Sequence, residues 1–149
     1  MTAGTHVYNP TPSRIRIGAM LAEHDHWLLR AAFAGVFAFH GVTKFALMGI
    51  GGFAGMMGLP WSVALLVALA EVLAGVGILA GGALRGGAGD LVTRLSGLAA
   101  LPVLLGAIVL VHWGRWSFTP SEAHPMGGME FQVVLLLLAA FFAIRGNEA

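Results

Sequence analysis

The apolar positions of this chain gather into four blocks, at about Trp27 to Met48, Trp61 to Gly81, Leu91 to Trp113 and Met129 to Ile144. Polar or Gly/Pro-rich stretches part them. Each block comes near the ~20 residues that cross ~30 Å of hydrocarbon at ~1.5 Å per residue, the fourth being short. In lipid, every backbone N–H and C=O needs a partner inside its own segment, so the blocks predict helices. Trp27, Trp61, Trp113 and Trp116 stand at block edges, where an indole favours the headgroup region. Pro102 removes one helical hydrogen bond inside the third block and predicts a kink there. The expected architecture is all-α: a four-helix transmembrane bundle over residues 27–145, with residues 1–26 and 146–149 as tails.

The connections and charges orient that bundle. With four crossings, both ends of the chain and the second connection share one side. Arg14, Arg16, Arg30, Arg85, Arg94 and Arg145 fall there, against Lys44 and Arg115 on the other. By the positive-inside rule both termini are expected in the cytoplasm, with the protein in the cell inner membrane. The uncharged first outer connection, Gly49 to Pro60, is expected to dip into the interface or pack over the bundle. The second, Gly114 to Gly128, is more polar. Gly82 to Asp90 reads as a flexible glycine-rich turn. Small residues at Ala70, Ala74, Gly77 and Gly81 predict close helix contact within the bundle.

Composition sharpens this reading. Hydrophobic residues make up 58% of the chain and charged residues 10%, whereas soluble domains carry roughly 25% charged residues. A net charge of +1 without a basic run gives no nucleic-acid footprint. There is no cysteine, which excludes thiol relays, thiolate-ligated iron–sulfur clusters and Cys-type zinc sites within this chain. The first 26 residues hold Pro10, Pro12, Glu23 and Asp25 and read as a cytoplasmic tail rather than a signal peptide. Ile15 to Leu21, with Arg14 and Arg16, is a candidate surface helix.

The candidate chemistry lies in polar residues where lipid is expected. Glu71 falls near the middle of its block, where a charge costs at least ~2.5 kcal/mol on insertion scales. It must be neutral and hydrogen-bonded, paired with a base, or facing a wet cavity. His40 and Lys44 are four residues apart and share a helical face; Lys44 also has the option of snorkelling to the interface. His112 closes the third block and Glu130 opens the fourth, where the helix dipole also favours a carboxylate. His40, Lys44, His112 and Glu130 therefore converge on the outer side, with Glu71 beneath. The arrangement argues against haem, because His40 lies deeper than His112. A metal site has no supporting spacing, and His24 and His26 read as solvated.

This arrangement resembles the DoxX family of small four-helix membrane proteins. The resemblance rests on Gly41-Val42-Thr43-Lys44-Phe45 preceded by His40, on Gly58-Leu59-Pro60, and on Glu71 followed by Ala74-Gly75 and Gly81. Arg85 and Gly127-Gly128-Met129-Glu130 complete it. It covers about Leu28 to Ile144 and implies a link to membrane oxidoreductases, the family's name being associated with a thiosulfate:quinone oxidoreductase subunit. The expectation is a subunit that binds or presents a quinone, with a protein partner in a membrane complex. His40, Lys44, Glu71, His112 and Glu130 are its candidate ligand contacts, and Lys44 and Glu71 its candidate catalytic groups. The alternative is a non-catalytic scaffold subunit in which the same residues fix helix register. A transporter fits less well, because no internal repeat stands out.

Overall fold

A computed structural model describes residues 24–148; the candidate surface helix at Ile15 to Leu21 lies outside them. The described chain is helical. Helix α1 spans His26–Ala46, α2 Gly49–Met57, α3 Trp61–Ala83 and α4 Gly86–Ala107, the last running on as a π turn over Ile108–His112. Helix α5 spans Glu130–Arg145 and ends in a 3₁₀ turn, Gly146–Glu148.

Among the described residues, three helices are long and apolar enough to cross a membrane: α3, the continuous Gly86–His112 and Glu130–Glu148. Helices α1 and α2 meet the same criterion only together, as a pair bent by 106°. The bend has a local cause. The N–H groups of Leu47 and Met48 both turn back to the Thr43 carbonyl, and Gly49 follows at φ +67°, a conformation that suits glycine. Helix α2 then lays Phe53 and Ala54 on Ala64 of α3. Gly58 closes α2 in the left-handed region, and the Leu59 N–H reaches the Ala54 carbonyl at 2.9 Å. The uncharged first connection is thus a short helix packed over one end of the bundle.

The second connection differs from the flexible turn expected at Gly82 to Asp90. Only Leu84 and Arg85 separate α3 from α4. The glycines here serve close packing: a Cβ on Gly89 would stand 2.7 Å from the Gly81 carbonyl oxygen, and one on Gly81 would stand 2.7 Å from the Thr93 nitrogen. Small residues also set the other contacts. Gly75 lies against the Ala38 backbone, Gly77 against Ser96, and Gly97 against Ala139 and Ala143. The expected small-residue face of α3 therefore packs inside the monomer.

Helix α1 packs on α3, α3 on α4 and α4 on α5, while α1 touches α5 sparsely. The core lies between them, where Phe33 stacks on Phe37 at 4.4 Å and meets Phe142 edge-on at 5.8 Å. Ala74, Ile78, Ala100 and Ala139 fill in around these rings. Towards α2 the helices separate.

Candidate functional site

Gly41 is the residue that lets the site form. A Cβ there would come within 2.6 Å of Val72 Cγ2 and 2.8 Å of the Val72 nitrogen. Its absence lets α1 and α3 nearly touch, with Lys44 one turn beyond on α1 and Glu71 beside Val72 on α3. The two side chains, both 8% exposed, form an ion pair: Lys44 Nζ donates to Glu71 Oε2 at 2.6 Å. Lys44 Nζ also donates to the His40 carbonyl at 3.3 Å and lies 4.8 Å from the centroid of the Phe53 ring on α2. Of the options open to Glu71, the structure takes pairing with a base. Of those open to Lys44, it takes burial over snorkelling.

A second polar group stands on α4 and α5. His112 is buried, its Nδ1 2.9 Å from the Gly127 carbonyl oxygen and its Nε2 2.9 Å from Gln132 Nε2. A carbonyl only accepts, so this network assigns the ring proton to Nδ1 and leaves Nε2 to accept an amide N–H of Gln132. Both ring nitrogens are then engaged in hydrogen bonds. Gln132 Oε1 is buried without a partner among the described residues.

Between these groups lies a cavity of about 770 Å³. Lys44, Glu71, His40, His112 and Gln132 contribute to its wall, and the rest is mostly apolar, with Met48, Met56 and Met57 at the α2 end. The cavity is within the ~300–1,000 Å³ typical of small-molecule sites, which combine apolar walls with a few placed polar groups. The structure thus brings four of the five expected contacts to one space. Glu130 stands apart: it does not line the cavity, and its Oε2 accepts the Phe118 N–H at 3.2 Å, tying the preceding loop to the start of α5. His40 is exposed on α1 and reaches the cavity from its edge. Among the described residues no three His, Asp or Glu side chains gather in a metal-binding group.

The opposite end holds Arg30, which enters the charge balance only as one of the six arginines that orient the bundle. Arg30, 1% exposed, is among the most buried side chains. Its Nη1 donates to the Ile78 carbonyl at 2.8 Å and Thr93 Oγ1 at 3.1 Å, and its Nη2 to Asn147 Oδ1 at 2.9 Å. The guanidinium carbon lies 5.2 Å from the Phe142 ring centroid. Asn147 in turn donates through Nδ2 to the Gly81 carbonyl and through its backbone N–H to Asp90 Oδ1, both at 2.8 Å. Asp90 pairs with Arg94, whose guanidinium also caps the Ala143, Ile144 and Arg145 carbonyls. The one sequence signal was Arg30 standing a turn inside an apolar block, three residues before Phe33.

The chain is 33% identical over 122 residues to a Bacillus subtilis (strain 168) protein named "Putative oxidoreductase CatD", an alignment covering 81% of this chain and 78% of that relative. No solved structure matches significantly. The DoxX family pattern matches residues 26–113, which hold α1 to α4 and the Lys44–Glu71 pair. The protein is a member of the DoxX family of membrane proteins.

Proposed function

We propose that this protein is the quinone-binding membrane subunit of an oxidoreductase system. The observation that carries the reading is the apolar cavity of about 770 Å³ whose wall is broken by the buried Lys44–Glu71 pair. A quinone ring needs an apolar slot, a donor at its carbonyl and a group that exchanges protons on reduction. Lys44 has three N–H bonds, of which two are used by Glu71 and the His40 carbonyl, so one remains for a ring oxygen. Glu71 is the proton carrier beside it. The opposite wall offers Gln132, held in place by His112. A bound quinone supplies two-electron, two-proton chemistry; with no cysteine in the chain, the electrons come from a partner protein. The name carried by the Bacillus relative supports an oxidoreductase setting.

In this reading α1 with α2 forms one crossing and α3, α4 and α5 the other three, so both termini share a side. The balance of six arginines there against Lys44 and Arg115 opposite supports a cytoplasmic position for that side, with the cavity towards the outer face of the inner membrane.

The test is mass spectrometry of the protein purified with its partners from native membranes, paired with a quinone-reduction assay of Lys44→Ala and Glu71→Gln. Retained quinone in the wild type and loss of reduction in both variants are expected. A preparation without quinone whose variants reduce quinone as the wild type does would overturn the proposal. A stoichiometric partner with unchanged activity after Glu71→Gln would favour the scaffold role instead.

A further inference from the structure

We infer that the cavity opens sideways through the crevice between α3 and α4, past Gly106, and that this crevice holds the apolar tail of a ligand whose polar head lies at Lys44 and Gln132. The inference rests on the quinone reading and adds the ligand's direction, its source and the need for a long chain.

The glycine contacts between α3 and α4 lie towards the Arg30 end of the bundle, where Gly77 meets Ser96 and Gly81 meets Thr93. Towards α2 no glycine contact joins the same two helices, and residues of both line the cavity. Val63, Leu66 and Ala70 recur at three- and four-residue spacing on α3, as do Val103, Gly106 and Leu110 on α4, and both rows line the cavity. Some of these lining residues are also at the surface: Leu66 is 65% exposed and Leu110 64%. A side chain that lines a cavity and is two-thirds exposed stands on its rim, so the two leucines mark the mouth. Gly106 sits between Val103 and Leu110 on that row, and a Cβ added there would meet nothing within 4 Å. The gap is space left by a missing side chain.

The polar lining groups stand apart from these two rows: His40 and Lys44 on α1, Glu71 on the side of α3 turned to Lys44, Gln132 on α5, and His112 at the end of the π turn, bonded to Gln132, while all six residues of the rows are apolar or glycine. The lining is therefore graded from hydrogen-bonding groups to a dry exit. The mouth lies on the flank of helices apolar enough to span a membrane, so it faces acyl chains rather than water. Such a slot suits a neutral ring carrying a long hydrocarbon chain, loaded from the bilayer; a small water-borne solute would leave the crevice unfilled.

The test uses the full chain in nanodiscs and two probes that share one benzoquinone ring, one without a side chain and one with a ten-carbon chain. Binding is followed by quenching of the protein's tryptophan fluorescence. In the wild type the chain-bearing probe binds at least tenfold more tightly after correction for its partition into protein-free nanodiscs. Gly106→Trp should remove that advantage while shifting the chainless probe less than twofold. If Gly106→Trp weakens both probes equally, or neither, the crevice is not the tail's path. If neither probe binds the wild type, the quinone reading itself fails and this inference with it. Size-exclusion profiles and thermal unfolding midpoints matching the wild type show that Gly106→Trp has folded; should it not, Gly106→Leu carries the same comparison.

Discussion

Each end of this bundle buries a cation, and the two are held by opposite means. Arg30 sits among neutral acceptors, the Ile78 carbonyl, Thr93 and Asn147, with an aromatic ring beside it and no ion pair among the described residues. Lys44 sits against a carboxylate, with an open cavity at its side. At the Arg30 end α3, α4 and the C-terminal turn close on one another through glycines, and of the guanidinium nitrogens Nε alone is left without a partner among the described residues. At the Lys44 end the helices part. The lesson concerns what burial is for. The guanidinium's planar fork ties several segments together at once, whereas the compact ammonium neutralises one neighbour and keeps donor capacity in reserve. The first arrangement holds the fold; the second leaves a charge pair next to space that a ligand can fill.

The comparison breaks most readily at Arg30. Arg30→Ala removes three hydrogen bonds and opens a void, so it should cost on the order of 3–5 kcal/mol in detergent-solubilised protein. Arg30→Lys should recover only part, because one ammonium cannot reproduce the fork. Unfolding followed by circular dichroism decides the matter. A loss below about 1 kcal/mol for Arg30→Ala would remove the structural role given to that end.

Next in size is Glu71→Leu, which leaves the Lys44 ammonium buried and unpaired at a cost of about 3 kcal/mol. The double variant Lys44→Met with Glu71→Leu should regain most of this stability, since replacing both partners of a buried pair with apolar groups is often neutral. It should not regain quinone reduction. Stability and activity measured on the same three proteins separate the pair's structural contribution from its chemical one; a double variant that restores both would mean that the pair is packing alone.

Gly41→Ala should cost about 2 kcal/mol, because its Cβ meets the Val72 nitrogen at 2.8 Å and the helices must part. The same displacement moves Lys44 away from Glu71, so activity should fall along with stability. The smallest effect is expected from Asn147→Ala, about 1–2 kcal/mol from lost hydrogen bonds. Hydrogen exchange should rise around Gly146–Glu148 while quinone retention stays at the wild-type level. If retention falls instead, the two ends are coupled and the contrast drawn between them is too sharp.

Much of the helical layout was legible before any coordinates. The predicted blocks at Trp61 to Gly81 and Met129 to Ile144 match α3 at Trp61–Ala83 and α5 at Glu130–Arg145 within two residues. The third block began late, because Gly86 to Asp90 reads as a turn in isolation and becomes helix only where Gly89 packs under the Leu84 and Gly81 carbonyls. Helix α2 was hidden for a similar reason: Gly49–Met57 is glycine-rich and has poor intrinsic helix propensity, and its contacts with Ala64 of α3 hold it. Of the candidate site, Lys44 and Glu71 could be singled out because a bilayer penalises charge. Arg30 could not, since an arginine near a helix end has snorkelling as an equal option, and its Asn147 partner is 117 positions away.

The amino-acid order alone determined that this chain forms apolar helices suited to a membrane, and which ionisable side chains would need an explanation there. Both follow from local chemistry: a run of apolar residues, and the cost of charge in hydrocarbon. Only the tertiary structure decided that Lys44 meets Glu71, that Glu130 binds the Phe118 backbone N–H instead of the cavity, and that Arg30 is interior. Those outcomes depend on how closely two helices approach, which glycines such as Gly41 and Gly75 set through the side chains opposite them.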